Sequence, residues 1–238
     1  MTKLESYLID ASKNAGISMD NEQISRFDLY YNMLIEWNSK INLTAITEPY
    51  DVAVKHFIDS LMILKYVNIP NNADVIDVGT GAGFPGVPLK IMRPDIKLVL
   101  LDSLNKRLIF LQELLDSLGI SAELVHSRAE EGSKTSVHRE KYDLAVSRAV
   151  ASMSVLCEYC MPYVKVGGRF VAMKGFDCDN ELKTAKQAVA VMGGKVSNVN
   201  KFTLPDDSGR AIVTIDKIKS TPVKYPRHSS KISKSPIV

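Results

Sequence analysis

Residues Val75-Ile76-Asp77-Val78 run without a break into Gly79-Thr80-Gly81-Ala82-Gly83-Phe84-Pro85-Gly86, an apolar strand feeding a glycine turn and then helix-forming sequence. Gly79, Gly81 and Gly83 let the backbone approach a ligand where a Cβ would clash. The helix after the turn offers unpaired N–H groups at its start. The pattern therefore points to a parallel α/β sheet with a nucleotide-like ligand at this turn. A glycine triplet also serves an ordinary tight strand-to-helix turn, so the ligand reading needs support from the next strand.

Asp102 closes that next apolar run, Lys97-Leu98-Val99-Leu100-Leu101, about twenty residues past the glycines. A carboxylate at the tip of a second strand accepts from both hydroxyls of a ribose. Asp102 and Ser103 are also capping types for the helix expected over 104–118, and the two roles are compatible. The carboxyl-terminal third narrows the ligand. Strand-like Gly168-Arg169-Phe170-Val171-Ala172-Met173 precedes a helical stretch over 180–192, and strands are expected over 195–204 and 210–217. Only Pro205-Asp206-Asp207-Ser208-Gly209 separates the last two, too short for a parallel crossover, so they form an antiparallel hairpin. With strands also expected at 122–126 and 142–147, the fold class is α/β. It resembles the class I S-adenosylmethionine methyltransferases, a Rossmann-like, seven-stranded mixed sheet whose last strand is antiparallel and lies at the edge. A nicotinamide-binding domain would keep its sixth strand parallel and need a second, substrate-binding domain, which the sequence does not suggest.

Hydrophobic residues make up 45% of 238, enough for one sizeable core with a small appendage. No run of eighteen apolar residues occurs, and the start, Met1-Thr2-Lys3-Leu4-Glu5-Ser6-Tyr7-Leu8, is charged and amphipathic, so neither a membrane span nor a signal peptide is expected. Three cysteines make no disulfide framework, which suits a reducing cytoplasm. Cys157-Glu158-Tyr159-Cys160 lies on an expected helix without a second pair and reads as buried thiols; no metal site is expected.

Three segments are expected to precede the sheet. Leu4, Tyr7, Leu8 and Ala11 share one helical face, with Gly16 ending that helix. Asp20-Asn21-Glu22-Gln23 resembles a capping box opening a second helix, with Phe27, Tyr30, Leu34 and Trp37 in one stripe. A third helix starts at Thr47-Glu48-Pro49, turns Phe57, Leu61 and Leu64 inward, and puts His56 and Asp59 on a shared face. The chain thus divides into a helical extension over 1–70, a catalytic-type domain over 71–219 and a tail over 220–238. From Lys217 onward six basic residues face no acidic one, while the other 216 residues hold 24 basic against 27 acidic groups. Such a polar, proline-punctuated basic tail suits a phosphate backbone, although solvated carboxyl termini are also common.

Several segments together resemble the bacterial 16S ribosomal RNA guanine-N7 methyltransferases, long known as the glucose-inhibited division protein B family. They are Glu36-Trp37-Asn38 with Ile41-Asn42-Leu43-Thr44, Lys55-His56-Phe57-Ile58-Asp59-Ser60, Asp77 to Gly86, Leu101-Asp102-Ser103-Leu104-Asn105-Lys106-Arg107, Ser127-Arg128-Ala129-Glu130 and Ser147-Arg148-Ala149. Lys224-Tyr225-Pro226-Arg227 and Lys234-Ser235-Pro236 in the tail also fit. The resemblance implies that Gly79, Gly81, Gly83 and Phe84 bracket the methionine and ribose ends of S-adenosylmethionine, with Asp102 near the ribose. It implies that Ala129 and Glu130 meet adenine, although Glu130 is also an ordinary helix-start charge. Arg148, just past the fourth strand, pairs with the cofactor carboxylate or orients a guanine. Donation to N7 itself would block the methyl acceptor. His56, Asp59 and Lys174 are further candidates for handling substrate, and Lys224, Arg227, Lys231 and Lys234 for RNA.

The implied partner is 16S ribosomal RNA in the small subunit, with the protein a monomer. Guanine N7 already presents an in-plane lone pair, so methyl transfer needs alignment and desolvation rather than a general base. No Asx-Pro-Pro-aromatic segment comes after the fourth strand, which disfavours an exocyclic amine as acceptor, and no cysteine is suited to attack a pyrimidine. A small-molecule methyltransferase or a non-catalytic S-adenosylmethionine-binding regulator are the alternatives.

Overall fold

The computed structural model describes residues 1–238. Helix α1 (Lys3–Ala15) opens on a capping box, in which the Thr2 hydroxyl accepts from the Glu5 N–H and the Glu5 carboxylate accepts from the Thr2 N–H. It ends at Gly16, whose φ of 70° is left-handed. Helix α2 (Asn21–Asn38) starts with the capping box of Asp20 and Gln23. Leu4, Leu8 and Ala11 are buried as their spacing expects, but Tyr7 is exposed and meets Tyr50 edge-on instead of entering the core. Phe27, Tyr30 and Leu34 are fully buried, whereas Trp37 is half-buried and donates its indole N–H to Glu113.

The third helix is not continuous. It runs as α3 (Pro49–Val52), a π-helical turn over Ala53–Ile58, and α4 (Asp59–Tyr66). A π turn holds an extra residue and re-aims the side chains around it. The re-aimed segment carries both His56 and Asp59 to one arginine of the sheet.

The rest alternates: β1 (Asp74–Val78), α5 (Gly86–Met92), β2 (Lys97–Asp102), α6 (Asn105–Leu118), β3 (Glu123–His126), α7 (Ala129–Gly132), β4 (Tyr142–Arg148), α8 (Met153–Cys160), a 3-10 turn at Met161–Tyr163 and β5 (Val164–Gly175). Then come α9 (Asp179–Thr184), α10 (Lys186–Val191), β6 (Gly194–Thr203), β7 (Gly209–Lys217) and α11 (Ser229–Lys234). The single helix expected over 180–192 is broken after Thr184, whose hydroxyl donates back to the Asn180 and Glu181 carbonyls.

The seven strands lie in the order β3-β2-β1-β4-β5-β7-β6. Strands β1 to β5 pair in parallel, and β7 is antiparallel to both neighbours. The hairpin and the antiparallel last strand are as expected, but that strand is not at the edge. β7 sits between β5 and β6 because its run Ala211-Ile212-Val213 with Ile215 is buried, as an interior strand must be. The edge falls to β6, whose Lys195, Asn198 and Lys201 face solvent and discourage further pairing.

Alternation along the strands divides the core in two. Val75, Leu98, Leu100, Val146 and Val171 join the cluster that holds α1, α2, α4 and α6, so the amino-terminal helices share a core with the sheet. Ile76, Val99, Leu101, Ala145 and Phe170 face the cluster that holds α8 and α10, against which Tyr225 and Ile237 of the tail pack. No helix is long and apolar enough to cross a membrane.

Candidate functional site at the switch point of the sheet

Strand order reverses between β1 and β4, and crossovers leave on opposite faces at that point. A cavity of about 520 Å³ opens there, at the carboxyl ends of β1, β2 and β4. Its floor is the glycine turn. Gly79, Gly81 and Gly83 have φ of 74°, 61° and 100°, values that side-chain-bearing residues rarely adopt. Gly81 lines the cavity, and a Cβ built on it meets no protein atom within 4 Å, whereas one on Gly83 would strike the Tyr30 hydroxyl and Val87. The turn is tied from below: Gly79 and Thr80 donate to the Leu101 carbonyl, and the Tyr30 hydroxyl donates to the Ala82 carbonyl. Asp77, wholly buried under the turn, accepts from the Thr80 hydroxyl and the Gly86 N–H at 2.8 Å each. Burial pushes its carboxyl up to about 7 against those two bonds, which favour the charged form.

Asp102 lines the same cavity at the tip of β2, 2% exposed. Its carboxylate accepts from Gly81 and Leu104 N–H groups at 2.9 Å each and from Arg107 at 3.2 Å, so it fixes the glycine turn and the start of α6 together. Leu104 is the N-cap residue and supplies no side-chain cap; its own N–H donates to Asp102, so neither Asp102 nor Ser103 caps the helix in the expected way. On the far wall, α7 presents Ala129 and Glu130. The Tyr163 hydroxyl donates to the Ala129 carbonyl at 2.7 Å, and Glu130 is 3% exposed with Oε1 lacking any hydrogen-bond partner. A buried carboxylate oxygen without a donor costs free energy, and it aims acceptor capacity at whatever fills the cavity.

Arg148, at the end of β4, joins the sheet to the helical extension. It donates to the Lys55 carbonyl at 3.0 Å, to Asp59 Oδ2 at 3.2 Å and to His56 Nδ1 at 3.2 Å, with its guanidinium 4.8 Å from the centre of the Phe84 ring. A guanidinium only donates, so Nδ1 of His56 accepts and Nε2–H donates to the Thr44 hydroxyl at 2.8 Å. Burial, helped by the Arg148 charge, pushes the His56 imidazole down to about 3, and the ring is neutral near pH 7. His56 stacks on Phe84 with ring centres 4.6 Å apart. Burial raises the Asp59 carboxyl, opposed by Arg148 and Arg210. The two helix residues expected to share a face thus meet on one arginine. Lys174, at the end of β5, pairs with Glu181 at 2.7 Å and donates to the Ala151 carbonyl.

The tail is ordered against the body. Arg227 does not face solvent: it grips Glu158, which is 1% exposed, through Nε and Nη2 at 2.7 to 3.1 Å, and its N–H donates to the same carboxylate. Lys217, the first of the six basic residues counted from the end of β7 onward, is buried and donates to the Met161 carbonyl and the Thr221 hydroxyl, with Glu140 at 3.2 Å. Arg227 is turned inward because the buried Glu158 carboxylate needs a partner, and the buried Lys217 ammonium is met by two oxygen acceptors and by the partly exposed Glu140. Lys224, Lys231 and Lys234 remain at the surface.

Three wall residues, and a fourth residue that reaches Asp59 from outside this cavity, are not marked by their spacing. Thr44 belongs to the loop that Asn38 holds by accepting from the Leu43 and Thr44 N–H groups, a link visible only as part of the Asn38 to Thr44 segment. Arg128 and Tyr159 line the cavity from the α7 turn and from α8. Arg210 reaches Asp59 from β7, 151 positions along the chain, and nothing in its surrounding sequence marks it.

Solved structures share this architecture, several of them named as methyltransferases. TrmN from Thermus thermophilus superposes with a TM-score of 0.54 at 14% identity over 68% of this chain and 48% of its own. A precorrin-6y C5,15-methyltransferase from Geobacter metallireducens gives 0.53 at 16% identity over 74% of this chain and 91% of its own. The fold is therefore that of the class I S-adenosylmethionine methyltransferases. Relatives named "Ribosomal RNA small subunit methyltransferase G" are far more similar. The protein of that name from Desulforamulus reducens is 50% identical over the full length of both chains, and the one from Alkaliphilus metalliredigens is 48% identical over 98% of this chain and 100% of its own. A profile of the family described as rRNA small subunit methyltransferase G matches residues 23–210. With the glycine turn, Asp102, Glu130 and Arg148 gathered around one cavity, and full-length relatives at this identity, the chain belongs to the rRNA small subunit methyltransferase G family.

Proposed function

We propose that this protein transfers the methyl group of S-adenosylmethionine to N7 of a guanine in 16S ribosomal RNA of the small subunit, acting as a cytoplasmic monomer. Its membership of the family, over nearly the whole chain, is the observation that carries the reading. The residues of the cavity fit the cofactor. Glycines with left-handed backbone form a floor free of side chains, Asp102 offers carboxylate oxygens at the ribose position, and the orphaned Glu130 Oε1 offers an acceptor for the adenine amine beside Ala129. Arg148 and Phe84 stand at the methionine end, where the sheet meets the helical extension.

S-adenosylmethionine supplies an electrophilic sulfonium methyl, and guanine N7 supplies the lone pair. The chain's own residues then need only hold both in line and exclude water. The neutral His56 and the Arg148 contacts from the π turn close one side of the site without placing a general base there. In this reading residues 1–70 cap the cofactor turn, 71–219 form the methyltransferase unit and 220–238 form the tail, with Lys224, Lys231 and Lys234 facing the RNA backbone.

The test is the fate of labelled methyl when the protein is given small subunits from cells lacking its gene together with a small-molecule extract. Label in RNA, reduced at least a hundredfold by Arg148→Ala, is expected. Label confined to small molecules or to protein overturns the proposal.

A further inference from the structure

A second cavity, of about 350 Å³, adjoins the first and shares His56, Arg148 and Ala149 with it. That volume lies within the range of pockets that hold a small ligand. Lys55, Lys174 and Arg210 also line it, and Asp59 is the one carboxylate in its wall. Lys55 and Lys174 are already met by carboxylates: Lys55 by Asp51 at 2.8 Å and Asp206 at 3.5 Å, Lys174 by Glu181 at 2.7 Å. Asp59 is in the opposite condition. It is 4% exposed; Arg148 donates to Oδ2, but Oδ1 has no hydrogen-bond partner, the Arg210 Nε standing off at 3.6 Å. An ionised carboxylate is acceptor-only, so this atom is an unfilled demand for a donor at the wall of a chamber next to the cofactor cavity.

We propose that Asp59 selects the target base, by accepting from the N1–H and the N2 amine of a guanine held in this second chamber. Guanine is the one RNA base that presents two adjacent donors on its pairing edge. Adenine and cytosine place a ring acceptor there, and uracil flanks its one N–H with carbonyls, so each would set a lone pair against the buried carboxylate. Enzymes that act on single bases read that edge in a closed pocket. The pairing edge lies across the purine from N7. Holding it at Asp59 therefore turns N7 toward the side where the two cavities share His56, Arg148 and Ala149 as lining, the side from which the sulfonium methyl would arrive. Arg148 then acts on the base indirectly. Its bond to Oδ2 orients the Asp59 carboxylate, and it has no need to donate to N7, where it would block the methyl acceptor.

This inference rests on the proposed function, and the experiment separates the two. Small-subunit RNA is assembled with either guanosine or inosine at the methylated position; inosine keeps N7 and N1–H but lacks the N2 amine. Initial rates of methyl transfer are compared for the two RNAs, with wild-type protein and with Asp59→Asn and Arg148→Lys. Wild type should favour guanosine at least about tenfold, the loss expected when a hydrogen bond to a charged group is removed. Asp59→Asn, which keeps one acceptor oxygen but loses the charge and sets an amine against the base, should slow transfer to guanosine and lower the ratio severalfold, whereas Arg148→Lys should slow both and keep a clear preference for guanosine. A collapse of structure would lower both rates together without changing the ratio. A wild-type ratio near one overturns the inference whether or not the variants fold, as does a well-folded Asp59→Asn that keeps the full preference. Absence of transfer to either RNA by wild type removes the proposed function and this inference with it.

Discussion

His56 shows how one buried residue ties pH to stability. Its imidazole is pushed down to about 3 by burial and by Arg148, so between about pH 3 and its ordinary value near 6.5 the unfolded chain binds a proton that the folded chain does not. Its contribution is present in full above pH 6.5 and is lost as pH falls toward 3. Thermal melts of wild type and His56→Gln should therefore differ in slope, with wild type losing more stability between pH 6.5 and 4; parallel curves would contradict the placement of a neutral ring there. Gly81 makes a second residue-scale case. Gly81→Val would force a β-branched side chain into φ 61° and into the cavity, so cofactor affinity by calorimetry should fall at least tenfold while the melt drops by the equivalent of about 1 to 2 kcal/mol. The glycines, Asp102 and Glu130 were legible because their signal is local: a turn, a strand tip and a helix start within sixty residues of one another. Arg210 was not, since its role comes from a strand pairing that brings it to Asp59 from the other end of the chain.

Helix α2 is both core and clamp. Tyr30 was legible as one of its apolar stripe, and it is fully buried, but its hydroxyl also holds the Ala82 carbonyl in the glycine turn. Tyr30→Phe keeps the ring and leaves that carbonyl short of a donor. A loss of about 1 kcal/mol in stability is expected, with a cofactor dissociation constant raised severalfold because the turn is no longer pinned; unchanged affinity would show that the helix only covers the turn. Elements with strong periodicity and caps, such as α1, α2 and β1 to β4, were legible to within about two residues at their ends, apart from the outward-facing Tyr7, whereas β5 runs beyond the expected 168–173 at both ends. The π turn at Ala53–Ile58 and the break after Thr184 were not, because each depends on backbone bonding that periodicity averages over. The place of β7 inside the sheet was missed for another reason: loop length sets a hairpin's direction, not which of its strands meets the sheet.

At the scale of the molecule the basic tail divides into two kinds of charge. Arg227 neutralises buried Glu158, so Arg227→Ala strands that carboxylate and should cost about 3 to 5 kcal/mol in a denaturant melt. Lys231→Ala and Lys234→Ala touch only the surface and should stay within about 0.5 kcal/mol of wild type. If these lysines meet the RNA backbone, each removal should lower the slope of log affinity against log salt by about 0.7 to 0.9, and an unchanged slope would place the RNA elsewhere. Composition revealed the excess of positive charge but not its direction, which depends on the acidic partner that α8 buries beneath the tail. What the whole molecule does is decided by one product. Small subunits from cells lacking the gene, incubated with the protein and methyl-labelled S-adenosylmethionine and then digested to nucleosides, should yield 7-methylguanosine as the sole labelled nucleoside. Label in any other nucleoside, or RNA that stays unlabelled by a protein that binds the cofactor, would contradict methyl transfer to guanine N7.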